Sequence, residues 1–139
     1  MTTRKVSNLI YTAANAARIL GKRFSNLVIE IWANVVYLHG VKLSRFVSKA
    51  AFKQMFVDFR KAGAKSLTVT QNLFVPNAYK VRNETKGTAY DVVIINQNFT
   101  CACDDYIAQY TAMGKGVCKH GYAVLNHLGF TSLADYING

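Results

Sequence analysis

The sequence predicts an α+β fold: a helical N-terminal part, then a small antiparallel β-sheet and a closing helix. Three observations predict it. Up to about Lys65 apolar residues recur every three or four positions, the period of an amphipathic helix. From Leu67 to Ile94 they alternate, the period of a half-buried strand. The three cysteines, Cys101, Cys103 and Cys118, all fall in one short window that ends on His120. With 51% hydrophobic residues and one proline in 139 positions, the chain can build a core and is not a disordered tract. The change of period divides it into a basic helical region, 1–65, and a cysteine-bearing region, 66–139.

Val6, Leu9, Ile10, Ala13, Ala17 and Leu20 share one face of a first helix, and Gly21 closes it. A second helix is expected over 25–38. Ser25 can cap it, Phe24 and Ile29 can form a hydrophobic staple, and His39-Gly40 marks its stop. Leu27, Val28, Ile31, Trp32, Val35 and Val36 make this segment apolar nearly all round, which predicts burial within the domain or against another chain. His39 then serves as a partner for the helix dipole. A third helix is expected over 44–61, with Phe52, Met55, Phe56 and Phe59 as its buried stripe and Gly63 in its C-terminal turn.

Beyond Lys65, Leu67 with Val69, Tyr79 with Val81, and Tyr90 with Val92 and Ile94 read as strands. Loops are expected at 83–87 and 96–98. The segment 118–128 reads as a helix with Ala123, Val124 and Leu128 inward and Gly129 at its end. A short terminal helix is expected over 133–137.

The formal net charge is +10. Residues 1–65 hold twelve Lys and Arg against two acids, Glu30 and Asp58, whereas 66–139 hold five against five. Such asymmetry points to an anionic partner held by one part of the molecule. On the expected third helix, Lys42, Arg45, Lys49, Lys53 and Arg60 fall in one sector, a basic ridge suited to phosphates. Five phosphate contacts on a duplex would give a log–log salt slope of about −4 to −5. A solvated charged face is the plain alternative.

The cysteine window leaves three readings open on spacing alone: a metal site, a redox pair at Cys101 and Cys103, or three unrelated core thiols. Cys101, Cys103, Cys118 and His120 supply the four N and S donors that a closed structural zinc site needs. Cys101 and Cys103, two apart at a strand end, can face one ion. Residues two apart in a helix do not face each other. Cys118 is therefore expected in the turn before the last helix, with His120 in its first turn. A redox pair leaves Cys118 and His120 without a role.

The order C-x-C, spacer, C-x-H resembles the SWIM-type zinc finger. So does its setting: Tyr79-Lys80-Val81, a hairpin from Gly87 to Val92, Cys101-Ala102-Cys103, Cys118-Lys119-His120 and Ala123-Val124-Leu125. The resemblance covers roughly residues 66–130. It implies one structural Zn²⁺ on the four donors, clamping sheet to helix, and a role in binding DNA or proteins. Asp104 stands where the family often has proline, and Gly121 where it often has an apolar residue.

Asp104 and Asp105 read as solvated acids, or Asp105 as a helix cap. His127 lies about 10 Å along the axis from His120, too far to share an ion, and reads as a surface or core-edge residue. No nucleophile triad, phosphate loop or dinucleotide fingerprint is visible. A zinc saturated by protein ligands has no water to activate, so an enzyme is not expected. The expected function is non-catalytic nucleic-acid binding, DNA ahead of RNA, through the basic helical face. The alternative is an interaction or assembly module that docks a protein partner or a second copy through the apolar segment 25–38 and the zinc finger. No run reaches membrane-spanning length and no signal cleavage site follows the N-terminal apolar stretch. A cytoplasmic location is expected, nucleoid-associated or nuclear if DNA is bound.

Overall fold

The structure, a computed structural model, describes residues 7–95 and 98–138, with side chains from Leu9 onward. It is an α+β fold with two small antiparallel sheets, and its described residues form two compact units, up to Phe59 and from Arg60.

The first unit opens with α1 (Ser7–Ile10) and α2 (Ala13–Leu20). Thr12 caps α2 by accepting from the Asn15 N–H at 3.1 Å. Gly21 ends the helix at φ 83°, a left-handed conformation that favours glycine. The single first helix expected from sequence is instead broken at Tyr11-Thr12, and in α2 the buried residues are Asn15 and Ala16 rather than the expected Ala13 and Ala17; Val6 lies outside the described residues.

The expected helix over 25–38 is instead a hairpin, β1 (Val28–Ile31) and β2 (Val35–Gly40), extended to a three-stranded meander by β3 (Leu43–Ser48). Val28, Ile29, Ile31, Val35 and Val36 are β-branched and pack best on a pleated surface. In β2 the burial alternates: Val36 and Leu38 are inside, opposite Val47 and Arg45 of β3, while Tyr37 and His39 face outward. His39-Gly40 is thus a strand end, not a helix stop, and Val41 and Lys42 form the turn, with Lys42 at φ 61°. His39 pairs with Glu30 across the strands rather than with a helix dipole.

The expected third helix begins later than 44, because Leu43–Ser48 is strand. Helix α3 (Lys49–Ala64) is capped by Ser48, whose Oγ accepts from the Ala51 N–H at 3.1 Å. Gly63 sits inside its last turn rather than beyond it. Of the expected stripe, Phe52 and Phe56 are buried, while Phe59 is half exposed under the Arg18 guanidinium, 3.5 Å from its ring centroid.

In the second unit the strand expectations hold. The order is β4 (Thr68–Gln71), β5 (Ala78–Asn83), β6 (Thr88–Ile95) and β7 (Asn98–Cys101), each antiparallel to its neighbour. The 83–87 turn is closed by Gly87, whose N–H donates to the Asn83 carbonyl at 2.8 Å. Of the second expected loop, Asn96 and Gln97 lie outside the described residues, and Asn98 already belongs to β7. A helix not expected from sequence follows, α4 (Asp104–Met113), then α5 (Lys119–His127) and α6 (Leu133–Asn138). Helix α5 packs across all four strands. Val81, Val92, Ile94 and Phe99 from the sheet meet Ala123, Val124 and Leu125 from α5, and all three cysteines belong to this core.

Phe52→Ala should cost about 3–5 kcal/mol of stability, the usual result of emptying a fully buried phenyl site. Phe74→Ala, at a position 93% exposed, should stay within about 0.5 kcal/mol. Urea melts of the two variants check the contrast.

Candidate metal centre

Three elements, β7, α4 and α5, bring four residues together at one end of the second sheet. Cys101 is the last residue of β7, and Cys103 is the N-cap of α4, where its Sγ accepts from the Tyr106 N–H at 3.4 Å. Cys118 is the N-cap of α5 and makes no capping hydrogen bond through its side chain. His120 follows in the first turn of α5, 4% exposed. This is the placement that the two-residue Cys118–His120 spacing predicts.

One donor atom from each of the four residues lies within 4.8 Å of the other three. A tetrahedral zinc with bonds of about 2.3 Å would set its ligands about 3.8 Å apart, so the widest pair need close by only about 1 Å. The three thiols are buried and unlinked. His120 Nδ1 is buried and makes no hydrogen bond among the described residues. A buried imidazole nitrogen without a partner is costly, and coordination is one way to relieve such a site. The residues therefore fit one metal ion such as zinc.

Electrostatics favour negative sulfur here. Both α4 and α5 aim their N-termini, the positive ends of their dipoles, at the cluster. The Cys103 thiol is held well below its ordinary range because Cys101 and then Cys118 donate to its sulfur, against the cost of burial. Cys101 is pushed up to about 11, chiefly by its hydrogen bond to Cys103. Cys118 is raised by its hydrogen bonds with Cys101 and Cys103 and by burial. Three buried thiols this close resist ionising together, and a bound metal ion would favour their thiolate forms.

The surrounding shell fixes the cluster. Gln109 of α4 is buried, and its amide brackets the backbone of Val117, the residue before Cys118. Nε2 donates to the Val117 carbonyl at 3.2 Å and Oε1 accepts from the Val117 N–H at 3.1 Å. Nε2 also donates to Asp105 Oδ2 at 3.1 Å. Asp105 takes a two-pronged ion pair from Arg60, at 2.7 and 2.8 Å. Asp105 is thus neither a free solvated acid nor the helix cap; Cys103 is the cap, and Asp104 and Asp105 occupy the first turn behind it.

Two glycines permit this packing. A Cβ on Gly116 would come within 2.5 Å of Gln109 Cβ, and one on Gly121 within 2.9 Å of Val117 Cγ1. The second explains why position 121 carries no apolar side chain: α5 begins against Val117. His127 stands exposed at the far end of α5, its ring 6.2 Å from that of Tyr79, and takes no part in the cluster.

The basic residues singled out in the sequence do not share one helix. Lys42 is in the β2–β3 turn and Arg45 in β3; Lys49 and Lys53 are one turn apart on α3. Arg60 is engaged by Asp105. Sequence reasoning missed Gln109 and the Arg60–Asp105 pair. The one available signal was the four-residue spacing of Asp105 and Gln109 ahead of Gly114. No family model, curated protein or solved structure matches this chain.

Gln109→Ala leaves the Val117 N–H and carbonyl without their partners, which should cost about 2–4 kcal/mol. Gln109→Glu should cost less if it keeps the bond from the Val117 N–H. Urea titration of both variants, at equal metal content, provides the check.

Proposed function

We propose that this is a small zinc-stabilised, non-catalytic protein that binds nucleic acid, DNA ahead of RNA, through the basic part of its chain. The carrying observation is the charge distribution: twelve Lys and Arg against two acids up to residue 65, and balance thereafter. Lys42, Arg45 and Lys53 are exposed and make no ion pair among the described residues. A surface that keeps cations without local acids is suited to phosphates and releases counterions when it binds them.

The metal part of the proposal rests on the Cys101, Cys103, Cys118 and His120 cluster. The order of these donors, and their setting at a strand end and a helix start, support the SWIM-type reading. Four protein donors leave a tetrahedral ion no open position for water or substrate, which favours a structural over a catalytic ion. Among the described residues no helix is long and apolar enough to cross a membrane.

A second reading, protein docking, is favoured by the loop between β4 and β5. Leu73 and Phe74 are almost fully exposed there, and Asn72 Oδ1 accepts from the Phe74 and Val75 N–H groups at 2.8 and 3.0 Å, fixing the tip. Exposed apolar residues on an ordered loop suit a partner surface. The hairpin over 28–40 removes the apolar docking helix expected from sequence.

Elemental analysis of natively purified protein should find one zinc per chain. Cys118→Ser and His120→Ala should bind substoichiometric metal and melt roughly 15 °C or more below the parent, since each kcal/mol is worth about 4–8 °C in a domain this small. Zinc uptake must release protons from thiols, so affinity should fall as pH falls, readable by competition with a chelator across pH. Metal-free protein with unchanged melting would remove the zinc reading.

Nucleic-acid affinity should fall with salt, with a slope of about −3 to −4 if Lys42, Arg45, Lys49 and Lys53 each meet a phosphate on a duplex. Because Arg60 is engaged by Asp105, it is not counted. A Lys42→Gln, Arg45→Gln, Lys53→Gln triple variant should flatten the slope to about −1. Absence of binding to any DNA or RNA at low salt would remove the nucleic-acid reading and leave protein docking.

A further inference from the structure

The outward face of the first sheet carries an aromatic cluster that the zinc centre does not use. Tyr37 of β2 and Phe46 of β3 are direct cross-strand partners with ring centroids 4.7 Å apart. His39, two residues along β2, stacks on Tyr37 at 4.7 Å. Trp32, in the turn between β1 and β2, lies 5.1 Å from Phe46 and 5.6 Å from Tyr37. The four rings form one continuous surface. It is open: Trp32 is 45% and Phe46 55% exposed.

Such a face normally packs against something, and the charge around it says what. Register places Lys42 just before β3 and Lys49 just after it, so a cation stands at each end of the strand that carries Phe46. The Lys49 ammonium donates to the Ala33 carbonyl at 3.1 Å, which holds it beside the Trp32 turn. Tyr37 and Ser44 share a hydroxyl–hydroxyl hydrogen bond at 2.8 Å on the same face. One acid is present, Glu30, and it is paired with His39. A second apolar protein surface would not need flanking cations, and a duplex hides the faces of its bases. A single strand offers both unstacked bases and phosphates.

We propose that the Trp32, Tyr37 and Phe46 face is a stacking platform for single-stranded nucleic acid, with Lys42 and Lys49 placed for phosphates on either side. It rests on the nucleic-acid reading above and narrows it from duplex phosphates to exposed bases. Ring stacking and phosphate pairing do not sense the 2′-hydroxyl, so DNA and RNA strands share the chemistry. Hydrogen-bonded readout of base edges is confined to Tyr37, His39, Ser44 and Glu30, so sequence preference should be weak.

Trp32 is the only tryptophan in the chain, so its fluorescence reports on this face alone. Zinc-loaded protein is titrated at low salt with oligo-dT, oligo-U and a duplex of equal length. The expected result is quenching of Trp32 by both single strands, with at least tenfold weaker binding of the duplex. Phe46→Ala and Phe46→Leu should each weaken single-strand binding about 5- to 100-fold, the usual range for one lost stack, and leave the salt slope unchanged. The leucine variant keeps an apolar side chain on the strand, so a fold defect is separated from a stacking defect. Lys49→Gln should lower the single-strand slope by about 0.7.

Binding of nucleic acid with unchanged Trp32 emission and full affinity in both Phe46 variants would overturn the platform while the broader reading stood. No binding of any strand would overturn both. Trp32 emission that depends on protein concentration without nucleic acid, together with a dimer in light scattering, would assign the face to a second copy and overturn the platform.

Discussion

Three sulfurs and an imidazole brought to within 4.8 Å of one another are the constraint on which the second unit depends. Three thiolates cannot occupy such a space without compensating positive charge, and three thiols beside a partnerless nitrogen waste a buried position. The chain supplies part of the compensation by pointing two helix N-termini at the cluster. That arrangement dictates much else. Cys103 and Cys118 must be N-caps, so α4 and α5 must both start there, and the loop joining them must return over a short distance. The loop's tightness accounts for Gly116 against Gln109 and for Gly121 against Val117.

The path from Arg60 through Asp105 and Gln109 to Val117 is the mechanical counterpart of the cluster. Arg60 lies in α3, Asp105 and Gln109 are one turn apart on α4, and Val117 directly precedes Cys118. The path therefore sets the rotation of the helix capped by Cys103 and the position of the backbone that carries Cys118. A partly buried ion pair adds little net stability by itself. Its value here is geometric, since each member is tied to the next and Cys118 stands at the end. A glutamine side chain suits the middle because its amide donates and accepts at once, as a peptide group would.

The donor cluster was legible in the sequence because ligand chemistry admits few residue types, and helix geometry restricts where a pair two apart can sit. The strands of 66–101 were legible because one face is wet, so alternation shows. Helix α4 was missed even though Asp104, Asp105 and Gly114 bracket it. Its apolar residues form no buried stripe, since only Ala108 and Gln109 are buried. The misreading of 25–48 has a different cause. Hydrophobic residues there fit a helical wheel apolar all round, and the turn at Val41-Lys42 lacks the glycine or asparagine that usually marks a two-residue hairpin. The β-branched content was the better guide. Reassigning the period moves Tyr37 and Phe46 from an imagined helix core to the open face of a sheet, which is why the exposed aromatic cluster could not be seen from sequence.

Charge asymmetry survives that reassignment because net charge does not depend on secondary structure, but its geometry does not survive. A single ridge would have tracked one groove of a duplex. Dispersed over a turn, a strand and a helix start, the cations no longer line one groove, and Lys42 and Lys49 instead flank the strand whose outer face carries Phe46. The two units also meet the stability problem of small size by different means. The second places its cysteines inside the hydrophobic core, where a bound ion would add to the burial of Val81, Val92, Val124 and Leu125. The first has no such cluster among its described residues and relies on Val36, Leu38, Val47, Phe52 and Phe56. A core of that size leaves little reserve, so the aromatic residues left outside it are conspicuous. Burying Trp32 and Phe46 would have enlarged the core by two of the largest apolar side chains available, yet both stay exposed beside Tyr37 and His39 on the sheet's outer face.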